Sequence, residues 1–366
     1  DVAIVGAGPC GLFAALETMK HKKTLLIDAG RPIDKKMCPL EMSGRCVNCK
    51  PVCSILGGFG GAQFFEGTKL SQFPAGTGLL SFADKKELDG LYEEIERTLN
   101  EYGKPERPYP EEEDIKQLSA LFDSVGVGMK YYNAQKVSKR IMTDIAGGIY
   151  DTLIKNNVTF KLNSMVEDVE KTDEGFRLMV NGESIEAKKI VLAVGRIGSR
   201  WILRLAEKLG IEYDEDHLVE LGVRIEMPYQ IFDGINNVHN DLKLKRVLPD
   251  GELRTFCQDY KGYITKCVYN LPGDTIFSSL DGHIIGTDEQ GGSLSKVTNI
   301  AVHHRFKCDE GIDYIYQVIR SMNHNGKPMI QNMKSFLQGT GTGNELRTEL
   351  SMPDAVFDDI NKYFPE

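Results

Sequence analysis

The most constraining feature of the chain is Gly6-Ala7-Gly8-Pro9-Cys10-Gly11, set between two apolar runs of different period. Val2 to Val5 is a short β-branched run that reads as a buried strand, and Leu12 to Met19 reads as an apolar helix. A second strand, Thr24 to Ile27, ends at Asp28. Strand, tight turn, helix, strand and an acid about twenty residues on is the setting in which Gly-x-Gly-x-x-Gly grips a dinucleotide. Gly6 permits the turn, Gly8 lets a pyrophosphate approach the backbone, and Gly11 lets helix and strand pack closely. Ala7 and Pro9 complete the turn, and the helix amino terminus offers unpaired N–H groups with a partial positive charge. Asp28, with Ala29 and Arg31 beside it, is placed to accept from a ribose hydroxyl. Without a ligand, the same string would be a glycine-rich strand–helix turn.

Composition narrows the classes around that grip. At 366 residues, 41% hydrophobic and 27% charged, the chain suits two domains or one large discontinuous domain. That balance excludes disordered, collagen and coiled-coil classes. No run approaches the roughly 18 apolar residues of a membrane helix, so no membrane partner is expected. The formal net charge of −9 disfavours broad phosphate contact, so no nucleic-acid partner is expected, although a local basic patch escapes such an average. Eight cysteines are too sparse for a disulfide scaffold, and no signal peptide is visible, so a cytoplasmic location is expected. The chain opens on Asp1 rather than methionine, with a strand immediately after it, which predicts a short leader before Asp1.

The version Gly-Ala-Gly-Pro-x-Gly-Leu at residues 6–12 resembles the flavoprotein form, in which the ADP half of FAD lies on the first unit. Lys189 to Val194 is another apolar strand, and Ala193-Val194-Gly195-Arg196 resembles the Ala-Thr-Gly segment of two-dinucleotide-binding flavoproteins. Before it, Val158 to Ala187 reads as a β-meander with turns at Asp173-Glu174-Gly175 and Asn181-Gly182. By that resemblance the backbone around Val166 lies near the adenine, and Ala193, Gly195 and Arg196 return to the nucleotide.

Between these segments, four of the eight cysteines (Cys38, Cys46, Cys49 and Cys53) fall within sixteen residues, spaced C-x7-C-x2-C-x3-C. Thiolates at such separations suit one soft centre, an iron–sulfur cluster or tetrahedral zinc. Cys46 and Cys49 would also serve as a dithiol pair beside a flavin, and the remaining reading is a glycine-rich loop with incidental thiols. Cys38-Pro39, the Cys46-x-x-Cys49-x-Pro51 string and Gly57-Gly58-Phe59-Gly60-Gly61-Ala62 running on to Lys69-Leu70 resemble a little-characterised family of NAD(FAD)-utilising dehydrogenases. In that family the run continues Gly-Gly-Ala-Gly-x-Phe-Ser-Asp-Gly-Lys-Leu. Here Gln63 replaces a glycine and Glu66-Gly67-Thr68 replaces Ser-Asp-Gly, so the frame is kept and its chemistry altered. Further matches fall at Gly195-Arg196 with Trp201, at Gly222 to Glu226 and at Arg254 to Cys257. The resemblance implies bound FAD, with Gly60, Gly61 and Lys69 among its contacts. The closing Gly-Asp motif of such flavoproteins is missing from Met352 to Glu366, so either a further segment follows Glu366 or flavin binding is weaker or completed by something else.

The expected fold class is therefore α/β. A Rossmann-like FAD-binding domain with a β-meander spans 1–80 and 130–200. An inserted, mainly antiparallel α+β substrate domain spans 81–129 and 201–330, and 331–366 form a return segment. Helices are predicted over Asp84–Tyr102, from the acidic turn Glu111–Asp114, over Gln135–Asn156 with a weak point at Gly147-Gly148, and over Ser199–Leu209 closed by Gly210. Alternation in Leu221–Glu226, Tyr263–Tyr269 and Val297–Phe306 predicts an antiparallel sheet.

Candidate catalytic groups on that sheet are Arg254 to clamp a carboxylate or a reduced flavin, His283 to exchange a proton, and Cys257. Their plain alternatives are an ion pair, a turn residue and a core thiol. His303 and His304 alternate across a strand, so one alone faces a pocket. With no second fingerprint, NAD(P)H is expected to dock transiently, or a protein electron carrier to deliver single electrons through a cluster. The resulting expectation is an FAD-dependent oxidoreductase acting on an unidentified small molecule. The competing one is a nucleotide-binding scaffold or RNA-modification module with a structural zinc knot.

Overall fold

The computed structural model describes residues 1–39, 47, 49–65, 68–103, 110–213, 217–271, 274–283, 295–322, 327–341, 350–352 and 354–364. In chain order the strands are β1 (Val2–Val5), β2 (Thr24–Ile27), β3 (Thr68–Ser71), β4 (Gly128–Lys130), β5 (Ala134–Val137), β6 (Thr159–Lys161), β7 (Val166–Thr172), β8 (Gly175–Val180), β9 (Glu183–Ala187), β10 (Lys189–Leu192), β11 (Leu218–Pro228), β12 (Lys243–Leu248), β13 (Gly251–Asp259), β14 (Tyr263–Leu271), β15 (Asp274–His283), β16 (Val297–Lys307), β17 (Met329–Ile330) and β18 (Val356–Phe357). The helices are α1 (Pro9–Thr18), α2 (Lys85–Asn100), α3 (Glu112–Asp123), α4 (Lys139–Lys155), α5 (Ser199–Leu209), α6 (Asp233–Val238), α7 (Ile312–Ser321) and α8 (Met333–Gln338).

The chain forms two compact units. The first comprises Asp1–Thr68, Glu94–Pro105 and Val137–Asp214, and the second Lys69–Glu93, Glu106–Lys136 and Glu215–Glu366. Residues 331–366 thus belong to the second unit, and Lys69 falls there rather than with the fingerprint.

The first unit is built on a parallel sheet of order β10-β1-β2-β6. Every residue of β1 is buried, as a continuous apolar run demands of a strand covered on both sides. Pro9 opens α1 at a position where its missing N–H costs nothing, and α1 packs on β1, β2 and α4. The meander β7-β8-β9 is antiparallel. Its first hairpin closes at Asp173 and Glu174, and its second at Asn181 and Gly182, both at positive φ (49° and 80°) as a tight primed turn needs. Val166, Val169, Leu178 and Val180 of the meander share one core with Ala3, Val5, Ile27 and Leu205, and Trp201 packs against it. Gly210 ends α5 in the left-handed conformation (φ 65°).

Two elements differ from the sequence expectation. Gln135–Val137 belongs to strand β5, and the helix expected from Gln135 starts only after Ser138, whose side chain caps α4 by accepting from Ile141 N. Gly147-Gly148 does not weaken α4. The Tyr102 ring occupies the space where a Gly148 side chain would stand, and the Tyr102 hydroxyl lies 2.9 Å from Thr152 Oγ1.

The second unit is built on an antiparallel sheet of order β11-β16-β13-β12-β4, with β14-β15 as a separate ribbon. One side of the sheet is apolar. Val219 and Leu221 pack on Ile315 and Val318 of α7, while Ile300 joins Phe232 and Leu242, with Phe122 of α3 against them. His283 sits on β15 opposite Tyr263, so it is a strand residue and not the turn residue weighed above. Among the described residues no helix is long and apolar enough to cross a membrane.

Candidate functional site

Gly6 leaves β1 at φ 106°, and a side chain there would meet Ala193 O at 2.2 Å. The fingerprint and the Ala193–Arg196 segment are therefore neighbours, joined also by Ala193 N donating to Val5 O at 2.8 Å. Gly8 is different. Its backbone (φ −74°, ψ −175°) is extended, a conformation open to any residue, and nothing lies within 4 Å of where its Cβ would be. The fold does not need glycine at this position. The open space beside it does. Gly8 caps α1 without a side-chain hydrogen bond, and the first turn carries no acidic residue, so the helix dipole faces that space unneutralised.

The Gly57–Gly61 loop closes over the fingerprint: Gly60 N donates to Ala7 O at 2.8 Å, and Gly61 packs against Gly8 and Pro9. Lys36 Nζ donates to Gly61 O (2.5 Å) and Phe59 O (3.2 Å). Arg31 O accepts from Phe59 N at 3.1 Å, with Ala29 in the preceding turn. Val166 is drawn in through Ser164 N, which donates to Asp28 O, and Asn163 N, which donates to Gly30 O, both at 2.8 Å. Gly195 (φ 57°) leads into an exposed Arg196. Gly6, Ala7, Gly8, Pro9, Gly11, Asp28, Ala29, Arg31, Gly60, Gly61, Val166, Ala193, Gly195 and Arg196 thus lie within one unit.

Asp28 does more than the sequence suggests. Ala7 N donates to its Oδ2, and Gly30 N and Gly58 N donate to its Oδ1, each at 2.7 Å. A carboxylate offers about four acceptor directions. Three are taken by the chain and one is left, so Asp28 also ties the fingerprint turn, the turn after β2 and the glycine-rich loop together.

The four-cysteine centre is not assembled among the described residues. Cys38 is buried and Cys49 and Cys53 are half-buried, and among the described residues no three His, Cys, Asp or Glu side chains converge on a common point. Cys46 lies outside the described residues. Spacing sets how far apart thiols are along the chain, whereas ligation needs their Sγ atoms to meet.

In the second unit Lys69 organises a buried charge cluster. Its Nζ lies 3.3 Å from Asp241 Oδ1 and 3.5 Å from Asp259 Oδ1, and it donates to Gln258 O. Tyr132 donates its hydroxyl to Asp241, and Lys243 lies 3.8 Å from that carboxylate. Arg224 pairs with Asp259 at 3.4 Å and donates to Asn299 Oδ1. Burial alone would lower the Lys69 pKa, but the Asp259 and Asp241 charges outweigh it and hold the ammonium above its ordinary value. Burial likewise works against the Asp241 carboxylate, which Lys69 and Lys243 nonetheless hold at about 2.

Cys257 joins this cluster with its Sγ 3.2 Å from Asp259 Oδ2, on a β-bulge and at φ 49°. Burial and the neighbouring Asp259 charge push its pKa up. It is thus a thiol held protonated, suited to donating rather than to attacking as a thiolate. Arg254 stands apart, with Nη2 3.1 Å from Glu220 Oε1. The structure therefore brings Cys257 together with Lys69, whereas Arg254 and His283 sit on separate strand positions. Asp241, Asp259 and Tyr132 were missed in the sequence because Lys69 and Asp241 lie 172 positions apart and Tyr132 and Asp241 109 apart.

Two outcomes are expected. Asp28→Asn replaces an acceptor with an N–H donor facing other donors, and should cost on the order of 2–3 kcal/mol in denaturant unfolding. Lys69→Met leaves two buried carboxylates without their cation and should cost roughly 3–5 kcal/mol. Because the folded Asp241 pKa lies at about 2, below the ordinary 3.8, its contribution is present above the ordinary value and disappears as pH falls towards 2. The stability difference between parent and Lys69→Met should therefore shrink as pH falls from 3.8 towards 2, as read by denaturant unfolding across that range.

Residues 124–226 match the family model of pyridine nucleotide-disulphide oxidoreductases. The ribosomal RNA dihydrouridine synthase of Escherichia coli K12 is 27% identical over 224 residues, 58% of this chain and 44% of that protein, so the chain spans less than half of that relative's length. Among solved structures, the glycine oxidase from Geobacillus kaustophilus is similar at 13% identity and a TM-score of 0.35, over 88% of this chain and 76% of that one. CtdE in complex with FAD is similar at 13% identity and a TM-score of 0.34, over 85% of this chain and 60% of that one. Likeness at that level assigns no chemistry. The stretch that the family model matches runs through the meander and the Ala193–Arg196 return.

Proposed function

We propose that the protein is an FAD-dependent oxidoreductase. The observation that carries this reading is the open, uncapped face at Gly8, where an ordinary backbone leaves room that the fold itself does not use. Gly6, Gly8 and Gly11 with the α1 amino terminus would hold the pyrophosphate, and the Val166 backbone and Ala193–Arg196 would flank the nucleotide. FAD when bound supplies hydride transfer; the chain supplies position and charge. The resemblance to NAD(FAD)-utilising dehydrogenases through Gly57–Ala62 supports the finer placement within flavoproteins. The ribosomal RNA dihydrouridine synthase supports a substrate in which the base acted on is carried by an RNA strand.

Gly8→Val is the direct test. Its side chain would fill free space without straining the backbone, so far-UV circular dichroism and thermal melting should hardly change. The flavin absorbance of purified protein should disappear. A variant that folds and still loads FAD as the parent does would overturn the reading.

A further inference from the structure

The sheet of the second unit has two unlike sides, because alternate residues of a strand point opposite ways. The side away from α7 is set by register. Lys130 of β4 stands opposite Lys243 of β12, and Lys245 stands opposite Arg254, which stands opposite His303 of β16. Phe256, two positions along from Arg254, stands opposite Ala301 on the same side. Its contacts confirm the placement. The ring stacks on His303 with centroids 5.6 Å apart and planes at 29°, Lys243 Nζ lies 4.3 Å from its centroid, and Arg254 Cζ lies 5.8 Å away. Phe256 is nevertheless 40% exposed. With His303 stacked on it and Lys243 over it, the ring still keeps that exposure, so Phe256 is no core residue but aromatic surface bordered by cations.

The charge on this side is not balanced locally. Glu220 takes up Arg254 and Arg305, and Glu252 takes up Lys245. Lys130 has no carboxylate partner among the described residues, and its ammonium reaches only Thr77 Oγ1 at 3.4 Å. Lys243 has Asp241 at 3.8 Å, but that carboxylate is already held by Lys69 and Tyr132. Like charges crowd each other as a result. Burial and then Arg254 and Lys245 lower the Lys130 pKa, and burial with Lys69 and Arg254 lowers that of Lys243 despite Asp241. The buried Arg254 Nε has no hydrogen-bond partner. This local surplus of positive charge sits in a chain whose net charge is −9, so the whole-chain average hides it.

We propose that this sheet face binds a single-stranded segment of RNA, with Phe256 as a base-stacking platform and Lys130, Lys243, Lys245 and Arg254 as its phosphate contacts. Spaced anions satisfy the surplus cations, and a base satisfies the exposed ring; a polynucleotide single strand supplies both at once. An acidic peptide supplies only the first. The inference rests on the reading above, in which the group acted on is carried by RNA, and it names the surface that would recognise the strand.

The test is fluorescence anisotropy of a short labelled single-stranded oligoribonucleotide titrated with the full-length chain at several salt concentrations. The parent should bind, and Phe256→Ala should weaken binding by about 5- to 150-fold, the span for one stacked base, while Phe256→Trp retains it. Lys130→Gln combined with Lys243→Gln should flatten the dependence of log affinity on log salt by about 1.4, roughly 0.7 per lost phosphate contact. Melting temperature and flavin absorbance serve as folding controls. No binding by the parent, or variants with unchanged affinity and salt slope, would overturn the proposal. So would polyglutamate competing as well as unlabelled RNA. Flavin loading is read separately from the same samples. RNA binding without FAD would sink the oxidoreductase reading and leave this surface standing; FAD without RNA binding would do the reverse.

Discussion

Three backbone N–H groups aimed at one carboxylate hold the nucleotide-binding unit in shape. Ala7, Gly30 and Gly58 come from the fingerprint turn, the turn after β2 and the glycine-rich loop, and all three donate to Asp28 at 2.7 Å. Without that acceptor each would be a buried donor lacking a partner, a costly state for a polar group removed from water. With it, three loops that have no regular structure of their own acquire fixed relative positions. Gly61 is thereby laid against Gly8 and Pro9, and the open space beside Gly8 gains a wall. The acid that a linear reading assigns to a ligand therefore builds the site first.

The second unit is organised by the opposite device. Its charge is buried rather than presented: Lys69 lies between Asp241 and Asp259, with Tyr132, Lys243 and Arg224 around them. Pairs of this kind contribute little net stability compared with an apolar core, but removing one member leaves the others uncompensated. The cluster thus ties β3, the segment before β12 and the end of β13 to one arrangement. It also fixes the environment of Cys257, whose thiol is kept protonated by burial and by Asp259. On the neighbouring sheet surface the cations outnumber their partners, and the same chemistry turns outward.

Much of the first unit was legible because its signals are local. The β-branched run before Gly6, the meander turns at Gly175 and Asn181-Gly182, and the helix stop at Gly210 each follow from the conformations those residues allow. The antiparallel character of β11, β14 and β16 followed from alternation. Gln135–Val137 was misread because helical spacing continued through it, while the cap at Ser138 decides where α4 begins. The charge cluster around Lys69 left no mark on its neighbours in sequence. Its partners lie far along the chain, and no local pattern marks Asp241 or Asp259 as the carboxylates that bury it.

The sequence by itself determined the grip. Gly6 and Gly11 stand where a side chain would run into backbone, so they specify a turn that bulkier residues could not make, and that is a property of backbone geometry. Tertiary structure decided which charges meet. It set three backbone N–H groups on the Asp28 carboxylate, placed Lys69 between Asp241 and Asp259, and set Lys243 and Arg254 beside an exposed Phe256. Electrostatic partnership depends on distance in space, and residues brought side by side by strand pairing or burial carry no trace of it in their order along the chain.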